Sequence, residues 1–291
     1  MIDYLIHRDD LVIVPRFQFY WRHCIPKIEN AWVVSYHTQG QKNSKHLHIQ
    51  EAPLAGRCSF DDAGFAGFSS IATNHSAIEA FTAKVSAELL EQNQKELYQQ
   101  YVVNNVSKYK QSSETAPITE PYVFVALQIS TDVVSRLAWI SGIEMLQIVA
   151  EYYRSSGTRV VVKRHPYCGS MSMQKCLDEL EENGSIIRAS GSIHQLISSA
   201  KLVLTVNSGV GLEALIHNKP VIVSGRCDYS YATQTVKTRT ELFEALTNTG
   251  DSDPLKRQQL LYYYVHQFTL AANAGEKISA RLQDWLSDQS N

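Results

Sequence analysis

Three places in the chain join a buried apolar run to residues that handle charge. The first is Thr205-Val206-Asn207-Ser208-Gly209-Val210-Gly211-Leu212-Glu213. An apolar run stops, two glycines permit a tight turn, and a helix begins. Free backbone N–H groups at such a helix start, at the positive end of its dipole, suit a phosphate. Ser208 adds a hydroxyl donor, and Glu213, one turn in, can reach sugar hydroxyls. The spacing is not G-x-G-x-x-G with an acidic residue ~20 positions on, which argues against a nicotinamide site. An ordinary helix start with glycines for close packing uses the same residues. The second place is Arg159-Val160-Val161-Val162-Lys163-Arg164-His165-Pro166, where a strand ends in two cations, a histidine and a proline. A histidine there can donate to a departing phosphate oxygen, although a solvated strand end has the same look. The third is Leu127-Gln128-Ile129-Ser130-Thr131-Asp132, where Asp132 also fits the commonest task of Asp before a helix, the N-cap.

The N-terminal part offers His37, then His46-Leu47-His48-Ile49-Gln50-Glu51. Strand alternation places His46 and His48 on one face, with Glu51 on the other parity. Zinc favours imidazoles, but no third ligand follows from the spacing, so no metal site is expected. Glu51 is instead an acid/base candidate. Asp61-Asp62 lacks the alternating carboxylates of a calcium loop and reads as a turn. Tyr20-Trp21 and residues 262–264 read as packing aromatics.

The elements that must position these groups follow from the apolar runs. Strands are expected at 11–14, 31–36, 122–127, 159–163, 186–187, 202–206 and 220–223, one or two helices within 76–110, and further helices at 132–155, 171–183, 193–199 and 211–217. Residues 52–75 read as a long loop. The last ~40 residues read as helical, with Leu260, Tyr264, Phe268 and Leu270 as an apolar stripe. Polar, proline-bearing residues 111–121 form a linker. It divides the chain into an N-terminal lobe, 1–115, and a C-terminal lobe, 116–291, whose last helices can pack back on the first. Strands alternating with helices imply a parallel sheet covered on both faces, and such sheets bind ligands at their carboxyl ends.

Composition narrows the function. The 291 residues carry 27 Lys+Arg against 29 Asp+Glu, a net charge of −2. No basic excess draws in nucleic acid. Hydrophobic residues at 44% and charged residues at 19% describe a globular α/β protein. No run approaches the ~18 apolar residues of a membrane span. The five cysteines are scattered without a C-x-x-C pair, as in a reduced, cytoplasmic protein.

With those residues in view, the chain resembles the bacterial capsule and surface-polysaccharide glycosyltransferases that use CMP-activated Kdo, an eight-carbon acidic sugar. It is most similar to the retaining β-Kdo transferases. The likeness rests on Glu51-Ala52-Pro53, on Leu127-Gln128 with Asp132, on His165-Pro166, and on residues 207–214 with Lys219-Pro220-Val221. The resemblance implies a GT-B-like fold of two Rossmann-like lobes, the C-terminal one holding the donor. It implies Asp132 as nucleophile, Glu51 as acid/base and His165 at the CMP phosphate. Ser208 and the amides near Gly209 and Gly211 would hold that phosphate, and Glu213 the ribose. Gln128, Lys163, Arg164, Pro166 and Asn207 would complete the donor site, and Gly191, Ser192 and Ile193 would meet the base. No cofactor is implied, since the CMP-sugar is itself a substrate. The implied partners are CMP-Kdo and an oligosaccharide or lipid-linked acceptor, with peripheral association at the inner membrane or with an assembly complex. The His-Pro and Ser–Gly–Glu elements are shared with CMP-sialic acid transferases. A UDP-sugar epimerase of similar fold and a non-catalytic assembly module are the other readings.

Overall fold

The computed structural model describes Val12, Val14 and residues 31–40, 42–111, 118, 120–248 and 253–287. Val12 and Val14 lie in no regular element, and the rest of the expected strand 11–14 lies outside the described residues. So do Tyr20-Trp21, Cys24, linker residues 112–117 and 119, and Asp251-Ser252.

Three short strands open the described chain: β1 (Val33–Tyr36), β2 (His46–Glu51) and β3 (Arg57–Asp61). β1 and β2 run parallel, β2 and β3 antiparallel. β3 falls inside the stretch expected to be a loop. Only five residues long, it is hidden in sequence by the glycine-, serine- and phenylalanine-rich residues after it, which form two 3-10 turns. The Asp61 carboxylate accepts the backbone N–H groups of Ala63, Gly64 and Ser70 and so ties that turn together.

The second sheet contains β4 (Tyr122–Ala126), β5 (Arg159–Lys163), β6 (Ile187–Arg188), β7 (Ala200–Thr205), β8 (Val221–Val223) and β9 (Gln234–Thr235), all parallel, in the order β6-β5-β4-β7-β8-β9. Its central strands are apolar on both faces, as a doubly covered sheet requires. Phe124, Val161 and Val203 pack into one core, with helices Ile193–Ser199 and Val210–Ile216. Val123, Val125, Val160, Val162, Leu202 and Leu204 pack into another, with helices Gly142–Tyr153 and Met171–Glu182. From β4 the chain moves outward through β5 and β6, then returns to β7 on the other side of β4. That reversal opens a crevice beyond the carboxyl ends of β4 and β7, the ligand position in open α/β sheets.

Tertiary contacts shorten or interrupt three of the expected helical stretches. Residues 76–110 form helices Ser76–Thr82 and Ala87–Leu97 and a wider turn Tyr98–Val103, then leave helical geometry at Asn104 and at Asn105, whose φ is 52°. The helix expected at 132–155 begins only at Gly142, where the Ser141 hydroxyl accepts the Glu144 N–H at 3.2 Å. Upstream, Asp132 caps a short 3-10 turn, Val133–Leu137. The Trp139 N–H donates to the Ser224 carbonyl at 2.8 Å, which holds that segment out of a helix. Near the C-terminus, helix Pro254–Tyr263 runs on through a wider helical turn, Tyr264–Phe268, into a strand, β10 (Thr269–Ala271), which breaks the expected helix before helix Gly275–Ser287. β10 pairs antiparallel with β3 and completes the first sheet. Arg57 secures it, donating from Nε to Thr269 Oγ1 at 2.8 Å and from Nη2 to the Thr269 carbonyl at 2.9 Å. Leu47, Ile49, Phe60, Leu270, Ile278 and Leu282 form the small core beneath.

Candidate active site

A cleft of about 650 Å³ lies between the two sheets. Its floor is the crevice between β4 and β7, and its far wall comes from the end of β2 and the turn after it. Glu51, Gln128, Asp132, His165 and Pro166 line it. So do Lys163, Arg164, Gly191, Ile193, Asn207, Ser208, Gly209 and Glu213. The parallel sheet explains the convergence of all of these groups but Glu51: each ends or follows one of its strands and emerges at one edge, while Glu51 ends β2 on the opposite wall. The Asn207 N–H donates to Gln128 Oε1 at 3.1 Å, linking the segments after β4 and β7 directly. Gln128 Nε2 and Asn207 Oδ1 are buried there without a partner among the described residues.

Two expected site residues lie outside the cleft lining. Ser192 is buried as the N-cap of helix Ile193–Ser199. Its hydroxyl accepts the N–H groups of His194 and Gln195 and donates to Asn105 Oδ1 at 2.5 Å. Gly211 serves packing: a Cβ there would stand 2.6 Å from the Tyr229 ring, whose hydroxyl donates to the Ser208 carbonyl. Gly209 has a related role across the cleft, since a Cβ would come within 2.7 Å of Pro53. Gly211→Val is therefore expected to destabilise the fold by about 1–3 kcal/mol through overpacking. Chemical denaturation would measure the loss.

The polar groups in the cleft are pre-set. His165 Nδ1 accepts the Tyr167 N–H at 3.2 Å, so the neutral ring carries its proton on Nε2. Burial lowers its pKa, with Lys108 and Lys163 acting in the same direction and Asp132 against them. The Lys163 ammonium donates to the Gly191 carbonyl at 2.5 Å, and burial lowers its pKa despite the nearby Glu213. The Arg164 guanidinium is tied to its own lobe, donating to the Ser170 carbonyl at 3.0 Å and to Gln174 Oε1. Burial pushes the Glu213 carboxyl up to about 7, against the pull of Ser107 and Lys163. In the turn, the Ser208 N–H is spent on Thr205 Oγ1, and the Ser208 hydroxyl accepts the Val210 N–H at 3.4 Å. Glu51, exposed at the end of β2, pairs with Lys108 at 3.8 Å.

Sequence reasoning missed the strap formed by residues 104–111, which crosses the mouth of the cleft. Ser107 hydrogen-bonds Glu213, Lys108 faces Glu51, and the Tyr109 ring stands edge-on to His165 with centroids 5.1 Å apart. The Asn104-Asn105 pair is the sequence signal for it, because asparagine tolerates the left-handed backbone that ends the helix. His37 also lines the cleft, whereas His46 and His48 do not. Those two stack at 3.8 Å and are held by Ser35 and Thr38 at 2.7 Å each. Among the described residues no three His, Cys, Asp or Glu side chains group as a metal site, and no helix is long and apolar enough to cross a membrane.

A family model described as capsule polysaccharide biosynthesis protein matches residues 74–268, more than half of the chain. The chain belongs to this family. The matched stretch contains Asp132, His165, Ser208 and Glu213 and begins after Glu51. A search of curated proteins finds no significant match. Among solved structures, KpsC of Thermosulfurimonas dismutans, a β-Kdo 2,7 transferase, superposes with a TM-score of 0.52 at 19% identity, covering 84% of this chain and 80% of that one. A β-Kdo 2,4 transferase KpsC structure from the same organism gives 0.52 at 17% identity, covering 77% and 73%. Together with the two sheets, these likenesses make the architecture an α/β, GT-B-like one.

Proposed function

We propose that this protein is a glycosyltransferase that moves Kdo from CMP-Kdo to a saccharide acceptor with retention of configuration. The observation that carries the reading is the meeting of two carboxylates from opposite walls, Glu51 and Asp132, with His165 in one cleft. In the first step an Asp132 carboxylate oxygen attacks C2 of Kdo. The bond from C2 to the phosphate oxygen breaks, and CMP departs with the electron pair. The His165 Nε2–H, the Ser208 hydroxyl and the Gly209 amide are the donors available to the departing phosphate. In the second step an acceptor hydroxyl, giving its proton to Glu51, attacks the same carbon from the other face, and the Asp132 carboxylate leaves. Two inversions give net retention. Glu213 takes the ribose hydroxyls in exchange for Ser107.

The test is to incubate the protein with CMP-Kdo and, separately, CMP-sialic acid, and to measure CMP release. The expected result is release from CMP-Kdo, with NMR showing an unchanged anomeric configuration in the transferred sugar. Release from CMP-sialic acid alone would move the donor to that sugar, and conversion of a UDP-sugar without an acceptor would make the protein an epimerase.

A further inference from the structure

The donor proposed above poses an electrostatic problem that the residues discussed so far do not solve. In an acidic sugar of this class the carboxylate is bonded directly to the reacting carbon. That negative charge must lie between Asp132 and Glu51, both of which repel it. The Lys163 ammonium is engaged by the Gly191 carbonyl, and Arg164 is tied through its two terminal nitrogens to Gln174 and Ser170. His165 accepts at Nδ1 and carries a burial-lowered pKa, so it is no standing cation.

Lys108 remains on the strap. Its ammonium is 3.8 Å from Glu51 Oε2, well beyond the ~2.7–2.9 Å of a tight charge-assisted hydrogen bond. The side chain is one-third exposed and lines the cleft. Its backbone is fixed on both sides. The Val106 carbonyl accepts from His194 Nε2 at 2.8 Å, and Gln111 Oε1 accepts the Ile193 N–H at 2.8 Å. Tyr109, the next residue, packs against His165. A loosely engaged cation is therefore held by a fixed backbone between the acid/base carboxylate and the histidine at the phosphate.

We infer that Lys108 is a specificity-determining residue that binds the carboxylate of the acidic donor sugar. The inference rests on the donor reading above and deepens it. Lys110, exposed on the same strap, also lines the cleft, but no contact ties it to Glu51.

The test is steady-state kinetics of CMP-Kdo hydrolysis and transfer in Lys108→Met, Lys108→Arg and Lys110→Met, with thermal melts to establish folding and calorimetry with CMP alone. In Lys108→Met, kcat/KM for both reactions should fall about 10- to 100-fold, the range for losing one charged hydrogen bond. The loss should appear mainly in the KM for donor, CMP affinity should stay within about twofold, and Lys108→Arg should recover most of it. Unchanged donor kinetics in a folded Lys108→Met would overturn the inference while leaving the donor reading intact. So would an effect confined to the KM for acceptor, or an equal loss in Lys110→Met. Failure of the wild-type protein to bind or turn over CMP-Kdo would overturn the donor reading itself, and the inference with it.

Discussion

Asp132→Asn should lower CMP release from CMP-Kdo by about 10⁴-fold, the scale on which removal of a nucleophile acts. Asparagine is the informative replacement because Asp132 also caps the Val133–Leu137 turn, accepting the Val134 N–H at 3.4 Å. Asn caps a helix about as well as Asp, whereas Ala costs about 1 kcal/mol. A loss in the Asn variant therefore belongs to the missing carboxylate and not to a frayed turn. The companion experiment is intact-protein mass spectrometry of Glu51→Gln after incubation with CMP-Kdo. With the first step intact and the base removed, a Kdo-sized addition should accumulate, and digestion should place it on the peptide containing Asp132. An Asp132→Asn protein that still forms the adduct would refute this nucleophile. A fully active one would refute the double displacement.

The parts of this site that were legible in sequence lie at strand ends, and the reason is geometric. A parallel sheet brings the residues after β4, β5 and β7 to one edge whatever the loops between them do, so Asp132, His165 and Ser208 can be placed together from apolar runs alone. Glu51 was legible through a short motif and not through position. What stayed hidden depends on distant partners. Nothing local separates Gly211 as a phosphate-turn glycine from Gly211 as the residue that admits the Tyr229 ring, 18 positions on (229 − 211). The 104–111 strap looked like more helix because residues 76–110 contain neither proline nor glycine. Its course is set by contacts with His194, Ile193 and Glu213 in the other lobe. The end of the chain misled for a similar reason. Leu270 continues an apolar stripe, but its backbone pairs with Cys58 of β3, a partner 212 positions away that no local pattern shows (270 − 58). The parity of His46 and His48 was readable, and Ser35 and Thr38 from the neighbouring strand and its end absorb both rings.

Glu213→Gln should make the protein more stable at pH 8 and leave its stability little changed at pH 4.5. Glu213 lies in the first turn of helix Val210–Ile216, 4% exposed, and burial raises its carboxyl from an ordinary 4.5 to about 7. A group with a raised pKa contributes its full stability below the unfolded value. That contribution is lost as pH rises towards the folded one. Between 4.5 and about 7, at about 1.4 kcal/mol per pH unit, the loss amounts to about 3 kcal/mol and is complete above pH 7. Glutamine keeps the shape and has no proton to lose, so the stability difference between variant and wild type should open across that interval and then stay level. Other buried titrating groups, among them His194, 4.0 Å from Glu213, are present in both proteins and largely cancel in the difference. Urea denaturation at half-unit steps from pH 4 to 9 measures it, and a difference independent of pH would refute the buried, protonated carboxyl. The same variant should bind CMP about tenfold more weakly at pH 8, as expected for losing a charged acceptor to the ribose.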